Sequence, residues 1–312
     1  MSDFFCSGFY RVQSRRTPVP SELAGDWHSP SPGDLTSDAI NQALRRHPLW
    51  RGSAQVALSV ARVTRRSGAF CEPDALYYRR FFNGHPPMTS DVLDLPKLLD
   101  HWAEREPYVR TLLGPSWISM VGEPTTAAVN EYMCHEGGHA LGWDVGTKYA
   151  AGYFRPRGRP AWPLIFTEEF RADLHSFGLA LDLLPADRAA QLFAYHLQHR
   201  LGLAARSYHT GGPDAGAVPY LLFHLLADLG AIPPPPEPAR LLSLMRACAD
   251  HAARELAEDS DLLDAALRAA AYYRRRILDE ERLACYQAWI SREKSRPAAL
   301  GPSAPATVHT AR

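Results

Sequence analysis

Residues 125–144 read TTAAVNEYMCHEGGHALGWD, and from Thr125 onward the pattern becomes strongly helical. Two adjacent glycines, Gly137 and Gly138, lie inside this predicted helix. Each glycine costs a helix interior about 1 kcal/mol relative to alanine. Their presence predicts close approach there, either by a neighbouring helix packed tightly or by a substrate. Gly142 is then expected to end the helix or to permit a bend.

A second clear helix is predicted over residues 167–184, TEEFRADLHSFGLALDLL. Its apolar residues recur at the helical period of 3.6, which is typical of a helix with one buried face. The stripe consists of Phe166, Phe170, Leu174 and Phe177. Further helices are predicted at 90–113, at about 186–203 and at about 217–229.

The expected fold is mainly α with a small β-sheet (α+β). Residues 1–50 are rich in Pro, Ser and Gly, and we expect irregular chain with one short helix that Thr36 or Ser37 caps. Strands are predicted at 54–64, where apolar and polar residues alternate, and at 117–121. The 125–144 helix is expected to pack against this sheet and against the 167–184 helix.

Pro233 to Pro236 form a four-proline run that predicts a stiff linker. We therefore expect a main domain over residues 1–232. Residues 233–294 are expected to form a helical hairpin packed on it, from helices at about 238–257 and 260–293. Residues 295–312 carry no periodicity and are predicted to be a disordered tail.

Composition excludes several classes. The 312 residues include 34 Lys plus Arg against 34 Asp plus Glu, so no overall positive field favours nucleic acid. No apolar run reaches the roughly 18 residues that span a bilayer. No secretory signal is visible at the N-terminus. The five cysteines are far apart and form no CxxC, which favours reduced thiols and a cytoplasmic location.

His135-Glu136-Gly137-Gly138-His139 is an HExxH motif on the predicted helix. Side chains four residues apart share a helical face, so two imidazoles can reach one metal ion. Glu136 lies next to them and can accept a proton from a water that zinc activates. The motif predicts one Zn²⁺ on His135 and His139, although the same residues leave iron open. It also predicts that the domain over residues 1–232 is a zincin-like catalytic domain.

A third ligand is expected from residues 168–173, which begin 33 residues after His135 and read EEFRAD. A glutamate on a second helix facing an HExxH helix is the gluzincin arrangement. The segment resembles the E-E-x-R-A-(E/D) motif of the dipeptidyl-peptidase III family. That resemblance implies that Glu169 is the third zinc ligand and that Glu168 supports a ligand histidine. It covers only about 50 residues. In that family the histidines are one residue further apart, so a similar site is predicted rather than membership.

The sequence alone leaves the role of Asp173 open. It is predicted to orient a histidine, to act as a ligand itself, or to form a local salt bridge with Arg171. Glu131 either supports a histidine or lies on a solvated surface. His196 and His199 are three residues apart, and we predict structural or surface roles for both.

Tyr208 and His209 lie about 40 residues after Glu169, at the predicted start of a Gly-rich loop. Zinc peptidases place a Tyr or His where it donates a hydrogen bond to the oxyanion, so both are candidate catalytic residues. The alternative is that Tyr208 and His209 belong to an ordinary loop and have no catalytic role. Arg206 and Arg155 are candidate substrate-binding residues, because guanidinium groups bind carboxylates bidentately. A solvated loop is the alternative for Arg155.

The sequence therefore predicts a zinc-dependent hydrolase of metallopeptidase type that acts on a peptide or an amide-like metabolite. A run at 117–121 next to the HExxH helix would serve as the edge strand that binds an extended peptide. One alternative is a small-molecule biosynthetic enzyme with zinc or non-haem iron on the same ligands. Another is a catalytically silent helical protein stabilised by the metal. Oligomeric state is left open.

Overall fold

A computed structural model describes residues 3–10, 19–51, 56–71, 77–79, 91–210, 216–258 and 261–291. The protein is mainly helical with one small sheet, as the sequence predicts. The strands are β1 (Asp3–Tyr10), β2 (Val19–Trp27), β3 (Ser59–Arg66), β4 (Tyr77–Arg79) and β5 (Asp91–Asp94). The N-terminal and central helices are α1 (Ser37–Arg46), α2 (Leu95–Leu113), α3 (Ser116–Met120), α4 (Pro124–His139), α5 (Val145–Ala150) and α6 (Trp162–Leu183). They are followed by α7 (Ala186–Thr210), α8 (Ala217–Asp228), α9 (Pro238–Glu255), α10 (Leu262–Ile277) and α11 (Glu280–Ile290).

The five strands form a single sheet in the order β1-β2-β3-β5-β4, in which only β3 and β5 are parallel. The prediction that residues 1–50 are irregular apart from one helix was wrong for β1 and β2. In β2 the buried positions alternate correctly, but they include Ser21 and Gly25, which weaken the apolar signal. The predicted helix is confirmed as α1, and the Thr36 side chain caps it by accepting from the Ala39 amide.

The predicted strand at 117–121 is wrong, because this segment is the short helix α3. Trp117 is almost fully buried there, and its carbonyl accepts a hydrogen bond from Gln198 Nε2 on α7 at 2.5 Å. A run of five apolar residues has no readable period, so a buried helical turn and a buried strand look the same in sequence. The predicted strand at 54–64 is confirmed only in part, because β3 begins at Ser59.

The core of the molecule is the α4–α6 helix pair. α4 packs against α6, α7, α1 and α2, whereas the sheet's main helical contact is α2 rather than α4 as expected. A Cβ atom at Gly138 would lie 2.4 Å from the Ala172 carbonyl oxygen on α6. One at Gly137 would lie 2.9 Å from side chains of Ile40 and Leu179. The prediction of tight helix packing at the two glycines is confirmed.

Gly138→Ala is expected to destabilise the protein by about 2 kcal/mol, since the new methyl group meets the α6 backbone rather than a side chain that can move. The matched control is Gly178→Ala, whose Cβ would lie 3.6 Å from Ala249 Cβ in ordinary contact. That change is expected to be neutral or to stabilise by up to about 1 kcal/mol. Urea unfolding of both variants measures the difference, and equal free energies of unfolding would contradict this packing.

The C-terminal helices α9 and α10 pack on α6, and residues of α9, α10 and α11 belong to the main hydrophobic core. The single helix predicted at 260–293 is wrong, because it is divided into α10 and α11. Asp279 caps α11 by accepting from the Arg282 amide, and such a cap competes with continuing the helix. The predicted disordered tail at 295–312 lies outside the described residues.

Candidate metal centre

The HExxH residues occupy the last turns of α4. The rings of His135 and His139 meet edge to face with their centroids 4.8 Å apart. Ligand atoms of His135, Glu136 and His139 all lie within 4.8 Å of one another, which makes this group able to hold a metal ion. His139 is buried, while His135 and Glu136 are half-buried.

Glu169 on α6 faces both histidines. Its Oε2 lies 3.4 Å from His135 Nε2, and its Oε1 lies 3.8 Å from His139 Nε2. Two imidazole nitrogens and one carboxylate therefore converge, which is the donor set of a three-ligand zinc site. The Glu169 side chain is 42% exposed, so the convergence point is open to solvent on that side.

The other ring nitrogen of each histidine has its own carboxylate partner. His135 Nδ1 lies 2.8 Å from Asp173 Oδ1, and His139 Nδ1 lies 2.9 Å from Glu168 Oε1. In this geometry each Nδ1–H can donate to its own carboxylate, while both Nε2 atoms face Glu169. The side chains are thereby oriented to bind a cation.

Asp173 is a shared acceptor at the interface of α4, α6 and α7. Arg200 donates to it twice, at 2.9 Å and 2.6 Å, and His196 Nε2 lies 3.5 Å from its Oδ2. The predicted alternative of a salt bridge between Asp173 and Arg171 was wrong, since Arg171 pairs with Glu168. Burial alone raises the pKa of Asp173, but Arg200 and His196 hold it well below its usual value. The carboxylate is therefore ionised and can accept from His135.

Glu131 is buried rather than solvated, and its Oε1 lies 2.8 Å from His196 Nδ1. His196 is structural, as expected, and it connects Glu131 to Asp173. His199 is also buried, and its Nδ1 lies 2.9 Å from Arg105 Nη1. Both histidines therefore belong to the polar interior beside the candidate centre.

Glu168 lies in a buried network of charges. It accepts from Lys148 Nζ at 2.5 Å and from Arg171 at 3.1 Å and 2.8 Å. Glu258 lies 2.6 Å from the same Lys148 nitrogen and 3.5 Å from Arg171 Nε. Burial raises the pKa of Glu168, but Arg171 and Lys148 lower it well below its usual value. Two carboxylates thus balance two cations next to His139, and all four groups belong to one network.

Glu168→Gln is expected to destabilise the protein by about 3–5 kcal/mol, because it leaves Lys148 and Arg171 with one buried carboxylate between them. The control is Glu104→Gln, which removes the exposed partner of Arg206 and should cost less than about 1 kcal/mol. Chemical denaturation measures both. Equal losses in the free energy of unfolding would contradict the stabilising contribution expected from the buried network.

His135 lies between two carboxylates, Asp173 and Glu169. Burial lowers its pKa, but hydrogen bonds from its ring to Asp173 and Glu169 raise it well above the usual value. The carboxylates of Asp173 and Glu169 thus favour a positive charge at the centre of the site. A divalent cation would supply that charge in place of the proton.

The remaining sequence candidates lie on α7 and in the segment before α6. Tyr208 and His209 belong to α7, which extends to Thr210, so their predicted loop position was wrong. Tyr208 packs against the main core, and the His209 side chain lies outside what the structure describes. Arg206 Nη2 pairs with Glu104 Oε2 on α2 at 2.9 Å, and Arg155 is exposed before α6. Their functional roles stay predictions.

Sequence reasoning missed Lys148, Arg200 and Glu258. Lys148 is one of only three lysines in the chain, yet it is fully buried, which a sequence alone does not show. Arg200 and Glu258 reach their partners across 27 and at least 87 residues of chain, so no local pattern connects them. The signal for Arg200 was its charge on a helix, α7, whose other residues are mostly buried. Such an arginine needs a carboxylate partner.

Comparison with known proteins gave no match to a family model, to a curated protein or to a solved structure. Within the described part of the chain, no helix combines the length and apolar character needed to cross a membrane.

Proposed function

We propose that the protein is a zinc-dependent hydrolase of gluzincin type, with zinc on His135, His139 and Glu169. The observation that carries this proposal is the convergence of both Nε2 atoms on the Glu169 carboxylate. Support also comes from the separate carboxylate behind each histidine. The contacts of Glu168 with His139 Nδ1 and of Glu169 with both Nε2 atoms also support the roles that the resemblance to the dipeptidyl-peptidase III family implies.

In this proposal the protein's own residues hold the reactants and move protons. Bound zinc would supply a Lewis acid that polarises a carbonyl and lowers the pKa of water. Glu136 accepts the proton of the attacking water and passes it to the leaving amine. Asp173 and Glu168 keep the ligand imidazoles oriented throughout. Tyr208 and His209 remain candidate donors to the oxyanion.

The proposed substrate is a peptide or an amide-like metabolite. The partial exposure of Glu169 supports access from solvent to the centre. Overall neutrality favours such a substrate over nucleic acid, and the dispersed cysteines favour action in the cytoplasm. The alternative, a non-haem iron enzyme, rests on the same donor set, because two histidines and one carboxylate also form a facial triad.

Removing the metal tests the proposal directly. The zinc-loaded protein is expected to cleave members of a fluorogenic amide library with free or blocked N-termini. Treatment with a chelator should abolish turnover, and one equivalent of Zn²⁺ should restore it, since hydrolysis needs the Lewis acid. Amide cleavage that survives complete metal removal would overturn the proposed mechanism. Restoration by Fe²⁺ alone would favour the iron alternative.

A further inference from the structure

Three aromatic side chains, Trp162, Phe166 and Tyr273, form a row beside the candidate metal centre. The rings of Trp162 and Phe166 stack on α6 with their centroids 5.8 Å apart. Phe166 in turn stacks on Tyr273 of α10 with a centroid distance of 6.3 Å. Neighbouring ring planes differ by only 23° and 25°. The hydrolytic chemistry proposed above gives this aromatic row no role.

The spacing of residues along α6 connects the aromatic row to the metal centre. Trp162, Phe166 and Glu169 fall within about 60° of arc on one face of the helix. Phe166 precedes Glu169 by about 4.5 Å along the helix axis, and Trp162 precedes it by about 10 Å. The aromatic row therefore begins within one helical turn of the proposed third zinc ligand.

This face of α6 lies between α4 and α10. Glu169 faces the two histidines of α4, whereas Phe166 faces Tyr273 on α10. At about 100° per residue, Trp162 projects between these two directions. Trp162 is 58% exposed, while Phe166 and Tyr273 are half-buried. Because Glu169 is also partly exposed, solvent reaches both the candidate metal centre and the aromatic row.

The chemistry of the aromatic row fits an apolar group of a substrate. Covering apolar area that now contacts water is favourable. Aromatic rings prefer to pack with other rings at centroid separations of about 4.5–7 Å, so a further ring can extend the row. Fixing α10 to α6 accounts for Phe166 and Tyr273. It leaves Trp162 unexplained, because that ring stacks on Phe166 of its own helix.

We propose that the aromatic row binds an aromatic side chain of the substrate, next to the amide bond that is held at the metal centre. An extended peptide advances about 3.3 Å per residue, so the position of Phe166 matches a side chain on a residue adjoining that bond. The substrate class is thereby narrowed to peptides or amides with a phenylalanine-like group beside the scissile bond. This proposal rests on the hydrolase function proposed above.

Calorimetric titration of the zinc-loaded full chain with two hydroxamates tests the proposal. The probes are 3-phenylpropanohydroxamate and propanohydroxamate. Both carry the same zinc-binding group, so the ratio of their affinities isolates the contribution of the phenyl ring. The wild type is expected to bind the phenyl compound about tenfold or more tightly, because its ring leaves water on binding.

Three variants localise the bound ring. Trp162→Ala and Phe166→Ala should each lower the affinity ratio about threefold or more, because the substrate ring loses an aromatic partner. Phe166→Leu keeps an apolar contact with α10, so it preserves the fold while removing the ring, and it should lower the ratio as well. The affinity for propanohydroxamate should stay unchanged in all three, which a merely structural role of these rings would not predict for the ratio alone. The matched control is Leu263→Ala, which removes a 68% exposed leucine of α10 outside the aromatic row and should leave the ratio unchanged.

The outcomes separate this proposal from the hydrolase function. Equal affinities of the two hydroxamates for the wild type would overturn the proposal and leave the zinc site intact. A preference for the phenyl compound that survives in both Trp162→Ala and Phe166→Leu would also overturn it, because the ring would then bind elsewhere. Binding of neither hydroxamate would overturn the zinc hydrolase together with the proposal that rests on it.

Discussion

Replacing Glu136 by glutamine is expected to lower kcat of the zinc-loaded protein by about 10²–10⁴-fold while the metal stays bound. Glutamine keeps the size of the side chain and cannot accept the proton of the attacking water. His135, His139 and Glu169 are untouched, so zinc content should equal that of the wild type. Rates are measured on whichever amide substrate the library identifies, with metal content determined on the same samples.

Glu136→Asp provides the graded control for this prediction. It keeps a carboxylate but withdraws it by one methylene group, so its rate should fall between those of the wild type and Glu136→Gln. Unaltered turnover in Glu136→Gln would exclude Glu136 as the general base. Loss of zinc from Glu136→Gln would instead place Glu136 among the ligands, consistent with its lying within 4.8 Å of both histidines.

His139→Ala is expected to weaken zinc binding by about a hundredfold or more. Zinc sites with four protein ligands bind with about 10–16 kcal/mol, so one ligand accounts for about 3 kcal/mol. The change also removes one of the two hydrogen-bond partners of Glu168 Oε1, which lies inside the buried charge network and keeps its bond from Arg171. Competition with a chromophoric chelator measures the affinity.

His251→Ala is the matched control for the ligand variant. His251 lies on α9 and contacts the Tyr272 hydroxyl on α10 at 2.9 Å rather than a candidate ligand. Its replacement should leave zinc affinity unchanged. The assignment of His139 would be contradicted if both variants bound zinc as tightly as the wild type. A fold lost completely in His139→Ala but restored by excess zinc would indicate that the metal also stabilises the structure.

The sequence predicted which residues meet at the candidate centre because their positions depend on local spacing. HExxH places two imidazoles on one helical face, and the Glu168-Glu169 pair lies on a helix of clear periodicity. The opposite roles of these two glutamates were implied by the family resemblance alone. The structure puts them on different sides of the histidines, with Glu168 at Nδ1 and Glu169 at Nε2.

What the sequence could not predict depends on contacts between distant segments. The segment that forms α3 resembled a strand because five residues are too few to show a helical or a strand periodicity. Its burial depends on its packing against α7, which the local sequence does not encode. Lys148 and Arg200 resemble surface cations until α6 places carboxylates beside them.

Zinc-edge X-ray absorption of the purified, metal-saturated protein tests directly whether His135, His139 and Glu169 bind zinc. We expect one zinc per chain with two imidazole nitrogens at about 2.0–2.1 Å and oxygen ligands at about 2.0–2.2 Å. No sulfur should appear in the first coordination shell. Substoichiometric zinc in the saturated protein, stoichiometric iron in its place, or a shell with fewer than two imidazoles would contradict it.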